Sequence, residues 1–196
     1  MPVMRTSVLI VCGVLAWAIA CAGDYTAQLA ASRATSVEFM QTLKRELQQA
    51  MQEGGPVNAI SVCNLTAPGI ASTYSARRGW EVGRTSLRLR NPANAPDAWE
   101  KAVLESFEER KQAGEDPASI EYWEVVTQDG APVLRYMKAI PTLAMCTACH
   151  GEHVDQTVRE RLRKLYPDDQ ALGFRPGDIR GAFTISQPLA ADRGEE

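Results

Sequence analysis

Three side chains in one five-residue stretch carry the most specific chemistry in the chain: Cys146, Cys149 and His150, in the order Cys146-Thr147-Ala148-Cys149-His150. C-x-x-C-H is the attachment sequence of a c-type haem. Two thiols separated by two residues can each form a thioether to the porphyrin edge while the adjacent imidazole reaches the iron from one face. The cofactor expected from the spacing is one covalent haem c, held by Cys146 and Cys149, with His150 as a metal ligand. Pro141 before the motif and Gly151 after it predict a loop that turns into the next helix rather than a strand. Two other chemistries use the same residues: half of a zinc site completed by Cys63 and His153, or a redox C-x-x-C pair. Zinc sites bring a second closely spaced ligand pair, which this sequence lacks, and the imidazole directly after Cys149 favours haem.

The elements that must position this motif have 196 residues to draw on, enough for one well-cored domain and not comfortably for two. The formal net charge of -3 gives no electrostatic footprint for nucleic acid, so none is expected as a partner. The five cysteines divide by position. Cys12 and Cys21 lie in an N-terminal apolar segment, and Cys63, Cys146 and Cys149 lie in the body. With two of these attached to haem, Cys63 is a leftover thiol that calls for a role.

Residues 1–22 place Arg5 ahead of an apolar run from Val8 to Ala20 followed by small residues, the layout of a secretory signal peptide. The expected location is therefore periplasmic or otherwise extracytoplasmic. Cys21 is either a lipoprotein acceptor or, in Ala20-Cys21-Ala22, part of an ordinary cleavage site before Gly23. A retained anchor is the third option, although the run is short for a spanning helix. A membrane is thus expected to matter only through a lipid or an uncleaved N-terminal segment. The haem domain is assigned to residues 23–190, with 191–196 as a polar tail.

From Ala27 to Glu53, Val37, Met40, Leu43, Leu47 and Met51 recur at helical spacing and predict a long amphipathic helix, ended by Gly54-Gly55-Pro56. Pro56 opens a shorter helix through Cys63, Pro68 breaks or kinks it, and a third piece runs to Arg78 with Gly79 as its terminal glycine. Trp80 to Arg90 alternates as a strand, with Gly83 as a bulge. Asp97 and Glu100 form a capping box for a helix carrying Trp99, Val103, Leu104 and Phe107 and stopping near Gly114. Ile120 to Thr127 and Ala131 to Ile140 form a hairpin across Asp129-Gly130. Val158, Leu162 and Leu165 mark a last helix, and Ile179 to Ile185 a final strand before Pro188. The expected fold class is α+β: an antiparallel sheet of at least four strands, with a long N-terminal helix and helices flanking the sheet.

The second axial ligand is open on spacing alone. Only two histidines are present, and the three-residue tether from His150 keeps His153 on the side of the ring already used. The remaining candidates are Cys63, one of Met40, Met51, Met137 or Met145, a lysine, or nothing. Methionines on amphipathic helices usually fill the core, and a lone Cys63 reads as well as a small buried hydrophobe. As a thiolate, Cys63 would favour the ferric state and lower the potential.

Four segments in this order resemble a known family: Asn58-Ala59-Ile60-Ser61-Val62-Cys63 with Ala67-Pro68; Arg84 to Pro96 with Trp99-Glu100; the C-x-x-C-H stretch; and Gly177-Asp178-Ile179-Arg180-Gly181-Ala182. The family is that of bacterial extracytoplasmic c-type haem domains with a PAS-like fold, catalogued as a domain of unknown function and including a cyanobacterial photosystem-associated haem protein. The resemblance implies a PAS-like sheet, a Cys63 thiolate opposite His150 as a second metal ligand, and a sensory role, since members occur as input modules of membrane receptors. No kinase, receptor or second spanning segment follows in this sequence, so the output of any sensing is unassigned. The arginines of the Arg84 to Asn91 segment either hold the haem propionates or brace the sheet.

Two functions are compatible with a haem ligated by His150 and Cys63. One is a redox or small-gas sensor in which Cys63 leaves as a neutral thiol on reduction and opens a site for a gas. The other is a low-potential periplasmic electron carrier that keeps both ligands and meets a redox partner protein. A peroxidase-type enzyme needs an open ferric site and a distal acid–base group, which the shortage of histidines argues against. The chain is not expected to be an enzyme.

Overall fold

The computed structural model describes residues 24–190; the expected signal peptide, Cys21 and the tail at 191–196 lie outside them. Among the described residues no helix is long and apolar enough to cross a membrane.

The first helix, α1 (Thr26–Ser61), leaves helical geometry at Gly54 and at Gly55, whose φ of 66° turns the chain in a way a residue with a Cβ resists. The two pieces then fold onto each other, with Ala50, Ala59 and Val62 packed beside Leu43, Leu47 and Met51, and Asn58 Nδ2 donating to the Ala50 carbonyl at 3.2 Å. The break at Gly54-Gly55-Pro56 is where the glycines predict it. The expected break at Pro68 is not. The irregularity comes earlier, as a π-helical turn at Val62–Thr66, and the chain runs on into α2 (Ala67–Arg78). Pro68 lies in the first turn of α2, where its missing N–H leaves no bond unmade. Gly79, at φ 68°, ends that helix.

The sheet has order β1-β4-β3-β2, antiparallel throughout: β1 (Glu81–Thr85), β2 (Glu121–Gln128), β3 (Ala131–Pro141) and β4 (Ile179–Pro188). Asp129 and Gly130, both at positive φ, close the β2–β3 hairpin. The strand expected over Trp80 to Arg90 stops at Thr85. Ser86 turns the chain out of the sheet by donating to the Arg180 carbonyl and accepting from Arg88 N–H. Gly83 is not a bulge, because it pairs in regular register with Thr184. The register shift falls instead in β4, where Ile140 faces Gly181 and Pro141 faces Ile179, leaving Arg180 as the extra residue.

Both faces of the sheet are covered. Phe39 of α1 and Ile70 and Tyr74 of α2 pack on Val82, Leu134, Tyr136, Phe183 and Ile185. On the other face, α3 (Ala98–Gln112), started by the Asp97/Glu100 capping box, buries Val103, Leu104 and Phe107 against Met137, Ala139 and Ala182. Each such large side chain contributes roughly 1.5–3 kcal/mol of burial. A short helix α4 (Thr147–His150) and α5 (Gln156–Leu165) close one end, with Val158, Leu162 and Tyr166 against Ile60 of α1. The sheet, α1 and this end enclose a cleft.

Candidate functional site

A 3-10 turn at Ala144–Cys146 runs directly into α4, so the C-x-x-C-H motif is itself helical, not a loop. The spacing explains its use: residues three and four apart share one face of a helix, and Cys146, Cys149 and His150 all line the same cleft. Gly151 follows because the chain leaves α4 hard against its own first turn, where a Cβ would collide with the Thr147 carbonyl. All three body cysteines are free and partly buried. Burial pushes the Cys149 thiol above its ordinary pKa, opposed by Arg90.

The imidazole of His150 is held neutral, its pKa well below the usual value because it is buried and because Arg180 and Arg90 face it. Nδ1 lies 2.8 Å from the Ala171 carbonyl. Arg180 Nε stands 3.2 Å from the same nitrogen. A carbonyl oxygen at that shorter distance requires the proton on Nδ1, which leaves the Nε2 lone pair free, with only a long 3.4 Å contact to Arg90 Nη1. Arg90 also donates to the Cys149 carbonyl at 2.6 Å and forms a buried ion pair with Asp169 at 3.0 Å. Asp169 in turn accepts from Ala171 N–H. The backbone of α4 is tied down again where Gly173 N–H donates to Gly151 and Phe174 N–H to His150.

Cys63 reaches the cleft from a different wall, on the π-helical turn. Met40, Met51, Met145 and Lys44 also line it. Met137 does not: it is fully buried under α3. His153 is exposed, and among the described residues no group of three or more His, Cys, Asp or Glu side chains could hold a metal ion, so the zinc arrangement is not assembled. The cleft encloses about 180 Å³ of space for small molecules and opens to solvent. A neutral imidazole with a free Nε2, two thiols on its helix face and a third thiol on another wall form a donor set suited to haem, which Cys146, Cys149, His150 and Cys63 would hold.

The arginines divide. Arg88 braces the loop beyond β1, donating to the Gln170 and Leu172 carbonyls with its guanidinium over the Phe174 ring. Arg90 is held by Asp169 and the motif's backbone. Arg84 and Arg180 line the cleft. Sequence reasoning did not single out Arg180, Asp169, Tyr166 or the Ala171 carbonyl; only Arg180 left a signal, inside the Gly177 to Ala182 segment, and its orientation depends on the bulge.

A family model described as Tll0287-like matches residues 23–188. The crystal structure of the cyanobacterial haem protein Tll0287 matches with a TM-score of 0.60 at 23% identity, over 82% of this chain and 97% of that one. The fold is accordingly PAS-like, as the resemblance implied. No curated protein matches the chain.

Proposed function

We propose that this chain, which belongs to the Tll0287-like family, is an exported haem protein that carries one c-type haem on Cys146 and Cys149, ligated by His150 and Cys63, and works as a redox or small-gas sensor. The observation that carries the reading is that all four side chains line one cleft. A solved relative is described as a haem protein, which supports the cofactor. When bound, the haem supplies one-electron chemistry and a site for a small gas.

The protein's own residues supply the asymmetry a sensor needs. His150 keeps its proton on Nδ1, against the Ala171 carbonyl, and offers Nε2. Cys63 would supply a sulfur ligand, which a ferric centre, with one more positive charge, would hold more strongly than a ferrous one. Its release would move the Val62–Thr66 turn, and Val62 packs on Ala50 and Ala59 across the α1 break. Displacement at Cys63 is thereby coupled to α1, and through α1 to whatever anchor or partner lies beyond it. The role is binding and signalling, not catalysis.

The cofactor is tested by intact mass and a pyridine haemochrome spectrum of the exported protein. One acid-resistant haem is expected, and an extractable haem or a bound zinc ion contradicts the reading. In the electron-carrier reading both ligands persist in both oxidation states, and the ferrous protein ignores carbon monoxide.

A further inference from the structure

The walls of the cleft carry more positive charge than the residues around them balance. Arg84, Arg90 and Arg180 all line it, and among the described residues only Arg90 has a carboxylate, Asp169. Arg84 makes no hydrogen bond to any described residue; its Cζ lies 5.7 Å from the centre of the Phe39 ring, and Cys63 and Tyr166 face it. Arg180 is anchored through Nη1 to Ser86 Oγ at 3.0 Å and the Arg88 carbonyl at 3.2 Å, its Nε stands 3.2 Å from the protonated His150 Nδ1 without an acceptor there, and its Nη2 donates to no described residue. Burial lowers both guanidinium pKa values, yet an arginine side chain is not deprotonated in proteins, so both are charged at neutral pH. A partly buried cation without a partner is costly, and its presence at a cleft wall marks a place for an anion.

The backbone is built to present these two groups. Arg84 lies on β1 opposite Phe183, whose ring faces α1 and the cleft. Arg180 is the residue left over at the β4 register shift, and a bulge re-aims a side chain that regular alternation would send elsewhere. Ser86 secures the bulge by donating to the Arg180 carbonyl at 2.8 Å. Gly181 lets the two strands close at this point, since a Cβ there would collide with the Thr85 carbonyl.

We propose that Arg84 and Arg180 form a carboxylate-binding subsite of the cleft that takes the two carboxylate arms of the haem, while Arg88 and Arg90 serve only to brace the loops. This rests on the haem reading above. It divides the arginines in a way that neither sequence alternative, all propionate-holding or all bracing, does. Two unbalanced guanidiniums match two ionised carboxylates, and a planar fork is the donor best suited to a carboxylate.

The test uses the haem-loaded full chain and its variants Arg84→Gln, Arg180→Gln and Arg88→Gln, read by resonance Raman of the propionate bending modes and by midpoint potential against pH. In Arg84→Gln and Arg180→Gln the propionate modes shift, the potential at neutral pH falls, and the carboxylate-linked step in the potential moves to higher pH; Arg88→Gln leaves all three as in the wild type. Arg84→Lys and Arg180→Lys cover a glutamine variant that fails to fold: charge is kept and the fork lost, so the modes shift while the potential stays near wild type. Unchanged modes and pH profile in the haem-loaded Arg84 and Arg180 variants overturn the subsite but not the haem. A wild type without haem by the haemochrome assay overturns both.

Discussion

The two walls that bring His150 and Cys63 to the cleft are built on opposite principles. On the His150 side every group is fixed several times over. The ring is held by the Ala171 carbonyl, that segment by Asp169, Asp169 by Arg90, and Arg90 by the Cys149 carbonyl one residue before the ring. On the Cys63 side the thiol sits in a single π-helical turn between a glycine break and a proline, with no hydrogen bond from a described residue, and its neighbour Leu65 is 73% exposed. π-turns inside helices mark functional sites often enough to be informative. The difference teaches that the His150 side chain is placed to stay and Cys63 is placed where the chain can yield.

Breaking the rigid side has the largest expected effect. Arg90→Ala leaves Asp169 buried without its partner and frees the Cys149 and Ala171 carbonyls, so a loss of about 3–5 kcal/mol is expected in denaturant unfolding, together with a fall in haem-loaded yield. Stability within about 1 kcal/mol of wild type would show that the brace is dispensable.

The same side makes the fold acid-sensitive. The folded pKa of His150 lies below its unfolded value near 6.5, so the unfolded chain binds the extra proton and stability rises with pH. The contribution is fully present above pH 6.5 and is lost as pH falls toward the folded pKa, at up to about 1.4 kcal/mol per pH unit. Urea unfolding of the haem-free chain between pH 7 and 5.5 should show this slope, and His150→Phe should remove it.

On the pliant side, smaller changes in stability are expected. Cys63→Ser should cost about 1 kcal/mol or less while converting a low-spin, thiolate-type ferric electron paramagnetic resonance signal to a high-spin or differently ligated one, with haem content intact. An unchanged signal would assign Cys63 to packing and point to Met40, Met51, Met145 or Lys44. Leu65→Lys, on the exposed face of the turn, should stay within about 0.5 kcal/mol of wild type in the same unfolding assay.

How far the sequence discloses this contrast depends on the range of the interactions that make it. Features set by neighbours along the chain were legible: the Asp129-Gly130 turn, the Asp97/Glu100 capping box, the Gly79 helix end, and the break at Gly54-Gly55-Pro56. That Cys146, Cys149 and His150 share one cleft follows from their helical spacing. The rest is set across the fold. Arg90 and Asp169 are 79 residues apart, and Ser86 meets Arg180 across 94. Such contacts decide that β1 ends at Thr85 and that the bulge falls at Arg180, and alternation alone placed them at Arg90 and Gly83. The π-turn at Cys63 has no local signature, whereas Pro68 has a strong one that the helix accommodates in its first turn.

The most direct test of a fixed His150 and a releasable Cys63 is the absorption spectrum of the purified, haem-loaded protein in its ferric and ferrous forms, with and without carbon monoxide. The account predicts a six-coordinate low-spin ferric spectrum, loss of the Cys63 ligand on reduction, and a carbon monoxide adduct that retains His150. A ferrous protein that stays six-coordinate and ignores carbon monoxide would contradict it and leave the electron carrier as the better description.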